Sequence, residues 1–247
     1  MKKIILLSAF ILSFTFQLFS QSNNFIPAYD TMHRFIRENY PFGQWKAIKW
    51  EEIDNRIRPA IVQAASTNDT VAYYLALKRY VASIHDGHVG LKGTGWKAID
   101  SIARYRYIGG SFGFALTEMD DGRLVARLVL PSTPAALAGM QYGAEIISIN
   151  DQPAKNVRDT VEVLFGDSNP ATLECKRMNQ DRLVGRAPVG KSMKIKFRNR
   201  GSADPVETTI VAVDDHYESF DKTTMGFVEP GPIVSYKILD PEMYGYL

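Results

Sequence analysis

Two histidines and an aspartate lie close together in residues 84–88, which read Ile-His-Asp-Gly-His. Histidine can act near neutral pH both as a general base and as a metal ligand. A metal site would use His85, Asp86 and His88, but no further strong ligand follows nearby and the chain lacks a His-Glu-x-x-His motif. We therefore predict neither a metal nor another cofactor. His88 is then either a general base or a helix-end histidine that bonds a nearby carbonyl, and the run itself leaves both interpretations open.

A second run could bind an anion through its backbone amides. It consists of Gly110, Ser111, Phe112, Gly113 and Phe114. Amides converge on an anion only where the chain can turn without a Cβ, and glycine allows such turns. Glycine–aromatic runs also begin ordinary strands, so this run alone is a weak signal. The alternating pattern of residues 112–116 predicts a strand, and an extended peptide could pair with its edge.

Residues 131–150 predict a short helix, a glycine turn and a buried strand. A serine or threonine suits the N-cap, Pro134 suits the first helical position and Gly139 suits the end of the helix. The strand covers residues 145–149. This segment, at its distance from the glycine-rich run, resembles a PDZ domain. The resemblance implies that the backbone of residues 110–114 holds the C-terminal carboxylate of a peptide, which pairs with the strand that follows.

Three amphipathic helices are predicted before these runs. The first ends at Pro41, the second contains Pro59, and the third begins after a cap at Asn68 or Asp69 and leads into residue 84. Their apolar faces can bury one another in a small helical domain. After the PDZ-like segment, the sequence patterns predict further helices and strands. These are a helix at 157–165, a helix or irregular insertion at 169–184, and strands at 192–198, 206–213, 233–239 and from 245 onward.

The first twenty residues have the features of a secretory signal peptide. Lys2 and Lys3 precede an apolar run, cleavage fits near Ser20-Gln21, and the run is too short to span a membrane comfortably. Loss of this leader would lower the formal net charge from +2 to 0. A neutral chain gives no reason to expect nucleic acid or an anionic membrane as a partner. We predict a soluble periplasmic or secreted protein.

The order of these parts is more specific than any single motif. A helical domain that ends in the 84–88 turn, then a PDZ domain, then strands that end in Gly-Tyr-Leu resembles the tail-specific (C-terminal processing) and tricorn-core serine peptidases. The resemblance spans about residues 50–247. It implies a serine endopeptidase that cleaves unstructured or C-terminal protein segments by acyl transfer. In the tricorn-like branch the histidine at this place is the general base, so the resemblance implies that role for His88.

The resemblance also sets limits. The family's nucleophilic serine and its supporting glutamate lie on an α/β core that this chain only begins, so we expect the chain alone to be inactive. Gly87 stands where the tricorn-like pattern has a serine, and the choice between a Ser-His-Glu and a Ser-Lys mechanism stays open. Asp86 either orients a histidine or caps a turn. The alternative function is a non-catalytic periplasmic PDZ protein that binds peptide tails, although an adaptor would not need the apolar strand that follows Pro232.

These observations predict an α+β protein of several domains. A small N-terminal helical domain precedes a PDZ-like, partly open β-barrel with helices, and the first strands of an incomplete α/β peptidase core follow. The predicted limits are 1–20 for the signal peptide, 21–100 for the helical domain, 104–214 for the PDZ-like domain, 215–232 for a linker and 233–247 for the start of the core.

Overall fold

The computed structural model describes residues 23–91 and 93–224, and the backbone of residues 237–240 and 244–246. The predicted signal peptide lies outside the described residues, and so does most of the predicted α/β core. Within the described part of the chain, no helix is both long and apolar enough to cross a membrane.

Three helices form the N-terminal region, as the patterns predicted. They are α1 (Phe25–Asn39), α2 (Trp50–Thr67) and α3 (Thr70–Ala82). Asp69 caps α3, because its carboxylate accepts two backbone amides of the first turn at 2.9 Å each. The three helices share one core around the buried side chains of Tyr29, Ile61 and Tyr80. Helix α2 buries one stripe of residues, at helical spacing, whereas α3 buries residues 73–77 in succession because it packs on more than one side.

A fourth helix, α4 (Lys97–Ile108), lies where the sequence analysis assigned no element. Only Ala103 and Ile108 of this helix are buried, so it has no continuous apolar stripe that a pattern could reveal. It packs on α3 through Asp100, which accepts the Tyr74 hydroxyl at 2.5 Å and the ammonium of Lys78 at 3.2 Å. The helix carries the chain from the helical region directly into the glycine-rich run.

The PDZ-like part follows α4 and combines two antiparallel sheets with three helices. Its strands are β1 (Gly110–Ser111), β2 (Phe114–Glu118), β3 (Leu124–Val129), β4 (Glu145–Ile149), β5 (Gln152–Pro153), β6 (Arg186–Ala187), β7 (Ser192–Arg198), β8 (Val206–Val211) and β9 (Val213–Asp214). Its helices are α5 (Pro134–Leu137), α6 (Ala154–Thr160) and α7 (Leu173–Leu183). The larger sheet has the order β2-β3-β4-β7-β8 with β5 on β4, and the smaller sheet has the order β6-β1-β9. Within the described residues β2 and β8 are edges, so the larger sheet is not closed into a barrel.

The predicted fold class is confirmed, since a helical N-terminal region precedes the PDZ-like part in a mixed α+β chain. Helix α5 begins with Pro134, and Gly139 follows it with a φ of +85°, as predicted. The helix predicted at 157–165 has wrong limits, because α6 ends at Thr160 and Val161 is extended. The apolar residues after α6 instead pack against a cluster from α3 and α4. For residues 169–184 the sequence left open a helix or an irregular insertion, and the structure has a helix there, α7.

Residues 213–224 fold back onto the PDZ-like part. Strand β9 pairs with β1, and a short helix, α8 (Glu218–Asp221), buries Ser219 and Phe220. The first part of the predicted linker is therefore folded. Further along, β10 (Lys237–Asp240) and β11 (Tyr244–Tyr246) form an antiparallel pair in the region predicted to begin the α/β core. The predicted domain limits themselves stay predictions.

A buried arginine ties the edge strand β2 to helix α7. Arg158 is 0% exposed, and its guanidinium lies 2.5 Å from Glu118 of β2 and 2.8 Å from Asp181 of α7. Asp159 lies 2.7 Å from the same guanidinium, and Lys155 lies 2.5 Å from Glu118. Lys155 and Arg158 lower the pKa of the Glu118 carboxyl to about 2, whereas burial raises the pKa of Asp181. Strand and helix are thus joined by charges that respond to acid.

We expect acid to weaken this link. The pKa of Glu118 is lower in the folded protein than its ordinary 4.5, so its contribution is present above 4.5 and is lost as the pH falls to about 2. Asp181, with its raised pKa, acts in the opposite direction. Between about pH 5 and about pH 2.5, the wild type should lose about 2 kcal/mol more free energy of unfolding than Glu118→Gln. Urea unfolding at both pH values measures this, and equal losses in the two proteins would contradict it.

Candidate functional site

The residues after α3 form a tight turn that presents His88. Ile84 is buried in the helical core, and His85 has a left-handed backbone with a φ of +52°. The Asp86 carboxylate accepts the backbone N–H of His88 at 2.9 Å and therefore caps the turn. The imidazole of His88 is fully exposed, with a relative accessibility of 103%. Its Nδ1 lies 3.5 Å from the capping carboxylate, which is an ion-pair distance rather than a hydrogen bond.

Two side chains from the segment between α1 and α2 hold Asp86. The Tyr40 hydroxyl donates to its carboxylate in a short hydrogen bond, and Lys46 Nζ donates to it at 3.0 Å. Lys46 also donates to the carbonyl of His85 at 3.1 Å. The Tyr40 hydroxyl, the His88 amide and Lys46 hold the pKa of Asp86 well below its usual range. The carboxylate beside His88 therefore stays ionised at neutral pH.

The turn that carries His88 borders a cleft between the helical region and the PDZ-like part. This cleft holds about 260 Å³, and Gly87, Val89 and residues 166–169 line it, among others. Asn169 joins the two walls, because its side-chain amide donates to the carbonyls of Val81 at 2.9 Å and Asp86 at 3.2 Å. A peptide segment bound in this cleft would lie beside the turn that presents His88.

His85 does not share this cleft with the His88 turn. It is exposed and lines two other clefts, both together with Arg56 and Ser83. Within residues 23–91 and 93–224, no three His, Cys, Asp or Glu side chains come together as metal ligands would. His85 and the turn that presents His88 therefore line different clefts, and His88 lies beside Asp86.

The glycine-rich run forms the loop that leads into β2, and two of its amides are bonded within the chain. The Phe112 amide donates to the Gly185 carbonyl and the Gly113 amide donates to the Ser111 hydroxyl, both at 2.9 Å. Gly113 has a φ of +89°, and a Cβ there would lie 2.0 Å from a threonine hydroxyl, so the position requires glycine. In this conformation these two amides stabilise the loop itself. Their predicted role in binding a carboxylate stays a prediction.

The other members of the run fix this loop in place. Gly110 pairs with β6 and β9 in the smaller sheet, and Phe114 begins β2 with its ring in the core. The buried Ser111 hydroxyl lies 2.8 Å from the hydroxyl of Ser219 in α8. Arg186 donates to the same Ser219 hydroxyl at 2.7 Å. Helix α8 therefore covers the loop through a buried polar contact.

A groove lies between β2 and α7. The groove measures about 360 Å³, and Thr117 of β2 and Met178 of α7 line it. Because β2 ends its sheet among the described residues, alternate backbone groups of this strand point away from β3. PDZ domains bind peptides by adding a strand to such an edge.

Sequence reasoning found His88 and Asp86 but missed the residues that hold them. Tyr40, Lys46 and Asn169 lie 46, 40 and 83 positions from Asp86 along the chain. No local pattern could indicate these contacts, since they depend on how the helical region and the PDZ-like part fold together. The Asp-x-His spacing of the turn was the available signal.

The comparisons with known proteins agree with this architecture. The PDZ domain model matches residues 101–170, and none of the curated proteins matches the chain. Among solved structures, mature CPAF complexed with lactacystin matches with a TM-score of 0.53 and 13% identity, over 76% of this chain and 34% of that chain. The photosystem II D1 C-terminal processing protease matches with a TM-score of 0.32 and 12% identity, over 79% of this chain and 44% of that chain. The HtrA-type protease AlgW with decapeptide matches with a TM-score of 0.30 and 18% identity, over 57% and 34%.

The matches establish a domain and a fold. The chain spans about a third of the length of the mature CPAF chain, and its likeness to that structure at 13% identity is one of fold. The predicted resemblance is therefore confirmed at the level of domain and fold. Residues 101–170 of the chain match a PDZ domain, a helical region precedes them, and the fold is similar to that of mature CPAF.

Proposed function

We propose that this chain is the N-terminal part of a periplasmic or secreted serine-type endopeptidase in which His88 is the general base. The observation that supports this most directly is the geometry of the turn after α3. A fully exposed imidazole stands 3.5 Å from the ionised carboxylate of Asp86, which two other side chains hold in place. A general base needs access to its proton donor and a third group that orients it.

The chemistry follows from these positions. His88 would take the proton of a serine hydroxyl as that oxygen attacks the peptide carbonyl, and would then give the proton to the leaving amine. The imidazolium formed in between carries a positive charge, which the nearby Asp86 carboxylate stabilises. The serine belongs to the α/β core that the resemblance implies, and the PDZ domain would hold unstructured or C-terminal segments of the substrate near the cleft beside His88.

A cleavage assay tests this proposal. The protein that combines this chain with the α/β core should cleave an unstructured peptide, and a fluorophosphonate that modifies active-site serines should stop the reaction. Residues 21–247 alone should show no cleavage, and mass spectrometry of the products measures both. Inhibitor-sensitive cleavage by residues 21–247 would contradict the proposal. Peptide binding without cleavage by the longer protein would favour the non-catalytic PDZ protein instead.

A further inference from the structure

The groove between β2 and α7 contains an arginine that forms no ion pair with a described carboxylate. The guanidinium of Arg127, on β3, makes one long hydrogen bond of 3.5 Å to the carbonyl of Thr223. Within residues 23–91 and 93–224, no carboxylate lies within ion-pair distance of it. Burial, and then the nearby charge of Arg182, lower its pKa, and the charge of Asp181 opposes this effect without forming an ion pair. A half-buried cation without a counterion costs free energy, and an anion that entered the groove would relieve this cost.

Three carboxylates line this groove, those of Glu118, Glu174 and Asp181. Asp181 and Glu118 are both bonded to the buried Arg158, at 2.8 Å and 2.5 Å. Glu174 lies on the same helix as Arg177, and the two charges attract each other. The groove therefore offers one half-buried cation, Arg127, that forms no ion pair with a described carboxylate.

The cationic surface continues around β2. A second cleft, of about 560 Å³, meets the groove at Thr117 and Arg127. Its lining includes Arg200, which is exposed and forms no ion pair with the residues described, and Tyr142, whose ring is largely exposed. A chain segment that paired with β2 would carry its side chains past this surface on one side and α7 on the other.

The glycine-rich loop, which would bind the C-terminal carboxylate of a peptide, has two amides that are already bonded within the chain. The amides of Phe112 and Gly113 are bonded to the Gly185 carbonyl and the Ser111 hydroxyl. Ser111 is in turn held by Ser219 of α8. A terminal carboxylate would have to displace these contacts, whereas a carboxylate side chain at Arg127 would displace no ion pair of the described residues.

We propose that the PDZ groove binds an extended acidic segment along β2, with an Asp or Glu side chain paired to Arg127, rather than a free C-terminal carboxylate. This inference rests on the proposed peptide-binding role of the PDZ domain. In this proposal Arg127 determines which peptides bind, by selecting those with an acidic side chain. The bound segment can then lie inside a longer chain.

Fluorescence anisotropy with labelled ten-residue peptides tests this proposal on residues 21–247. The peptides carry two Glu residues, the same sequence with Gln, and the Glu sequence with an amidated C-terminus. Amidation should change Kd less than about twofold, whereas Glu-to-Gln replacement should weaken binding about tenfold or more. Arg127→Gln should remove the preference for Glu, and Arg127→Lys should retain part of it. Arg34→Gln, which removes the same charge from an exposed position on α1, should leave the preference unchanged.

Two results would overturn the inference. One is a loss of binding on amidation together with equal affinity for the Glu and Gln peptides, which would mean that the loop opens to take a chain end. The other is no binding of any peptide, or binding that Arg127→Gln does not alter. A thermal melt of each variant shows that it is folded. The cleavage assay is independent of this result, so the peptidase proposal and the acidic-segment proposal can fail separately.

Discussion

Replacing His88 by alanine in a protein that joins this chain to the proposed α/β core should lower kcat by about 10²–10⁴-fold. The thermal midpoint should not change, because the imidazole is fully exposed and the turn is capped through the backbone amide, which alanine keeps. A peptide cleavage assay and a thermal melt measure the two quantities. His85→Ala, three residues away and also exposed, is the matched control and should leave kcat unchanged. A His88→Ala protein with wild-type kcat would return His88 to the role of a histidine at the end of a helix.

The variant Asp86→Asn, measured in the same assay, distinguishes two roles of this carboxylate: orienting the His88 imidazole and capping the turn. The amide oxygen of Asp86→Asn can still accept the His88 N–H, so the cap is kept while the negative charge is lost. If the carboxylate orients and stabilises the imidazolium, kcat falls about tenfold or more and KM stays the same. If Asp86 only caps the turn, kcat is unchanged and the effect of Asp86→Asn is confined to stability. The two interpretations of Asp86 that the sequence left open therefore give different kinetic results.

The sequence indicated those parts of the fold whose signal is local. Residues 131–150 predicted a helix, turn and strand because Pro134 and Gly139 each impose one backbone conformation at one place. The helical region was visible because its apolar residues recur at helical spacing. Helix α4 was missed for the opposite reason, since it buries only two side chains and makes part of its contact with α3 through the polar Asp100. The limits of α6 were wrong because the apolar residues after Thr160 pack against the helical region instead of continuing the helix.

The same limit applies to the candidate site: the sequence indicated residues that lie in one turn, but not the contacts that distant segments make with them. His88 and Asp86 lie in one turn and are visible together, whereas Tyr40 and Lys46 reach Asp86 only because the segment after α1 folds over the end of α3. The state of the glycine-rich loop was also beyond local reasoning. The Phe112 amide is bonded to Gly185, which follows α7, and the Ser111 hydroxyl is bonded to Ser219, which belongs to residues predicted as a linker. A motif shows which groups could bind a ligand, and the fold determines whether those groups are already bonded.

Replacing Arg158 by leucine should lower the free energy of unfolding by about 3–5 kcal/mol, because it leaves the partly buried carboxylates of Glu118 and Asp181 without their shared cation. Lys155→Leu is the matched control. Lys155 contacts the same Glu118, but its side chain is 45% exposed, and its loss should cost less than about 1 kcal/mol. Urea unfolding at neutral pH measures both variants, and equal effects would contradict the buried link.

The cost of Arg158→Leu should depend on the carboxylates that remain. If Glu118 and Asp181 are also replaced, by glutamine and leucine, most of the lost stability should return, since buried ion pairs exchanged for neutral groups of similar size are often neutral in free energy. The triple variant would then keep a folded PDZ domain whose β2 and α7 are no longer joined by charge. Comparing its peptide affinity with that of the wild type shows whether this link sets the width of the groove. A triple variant as unstable as Arg158→Leu would mean instead that the arginine stabilises the domain by packing its side chain, not by its charge.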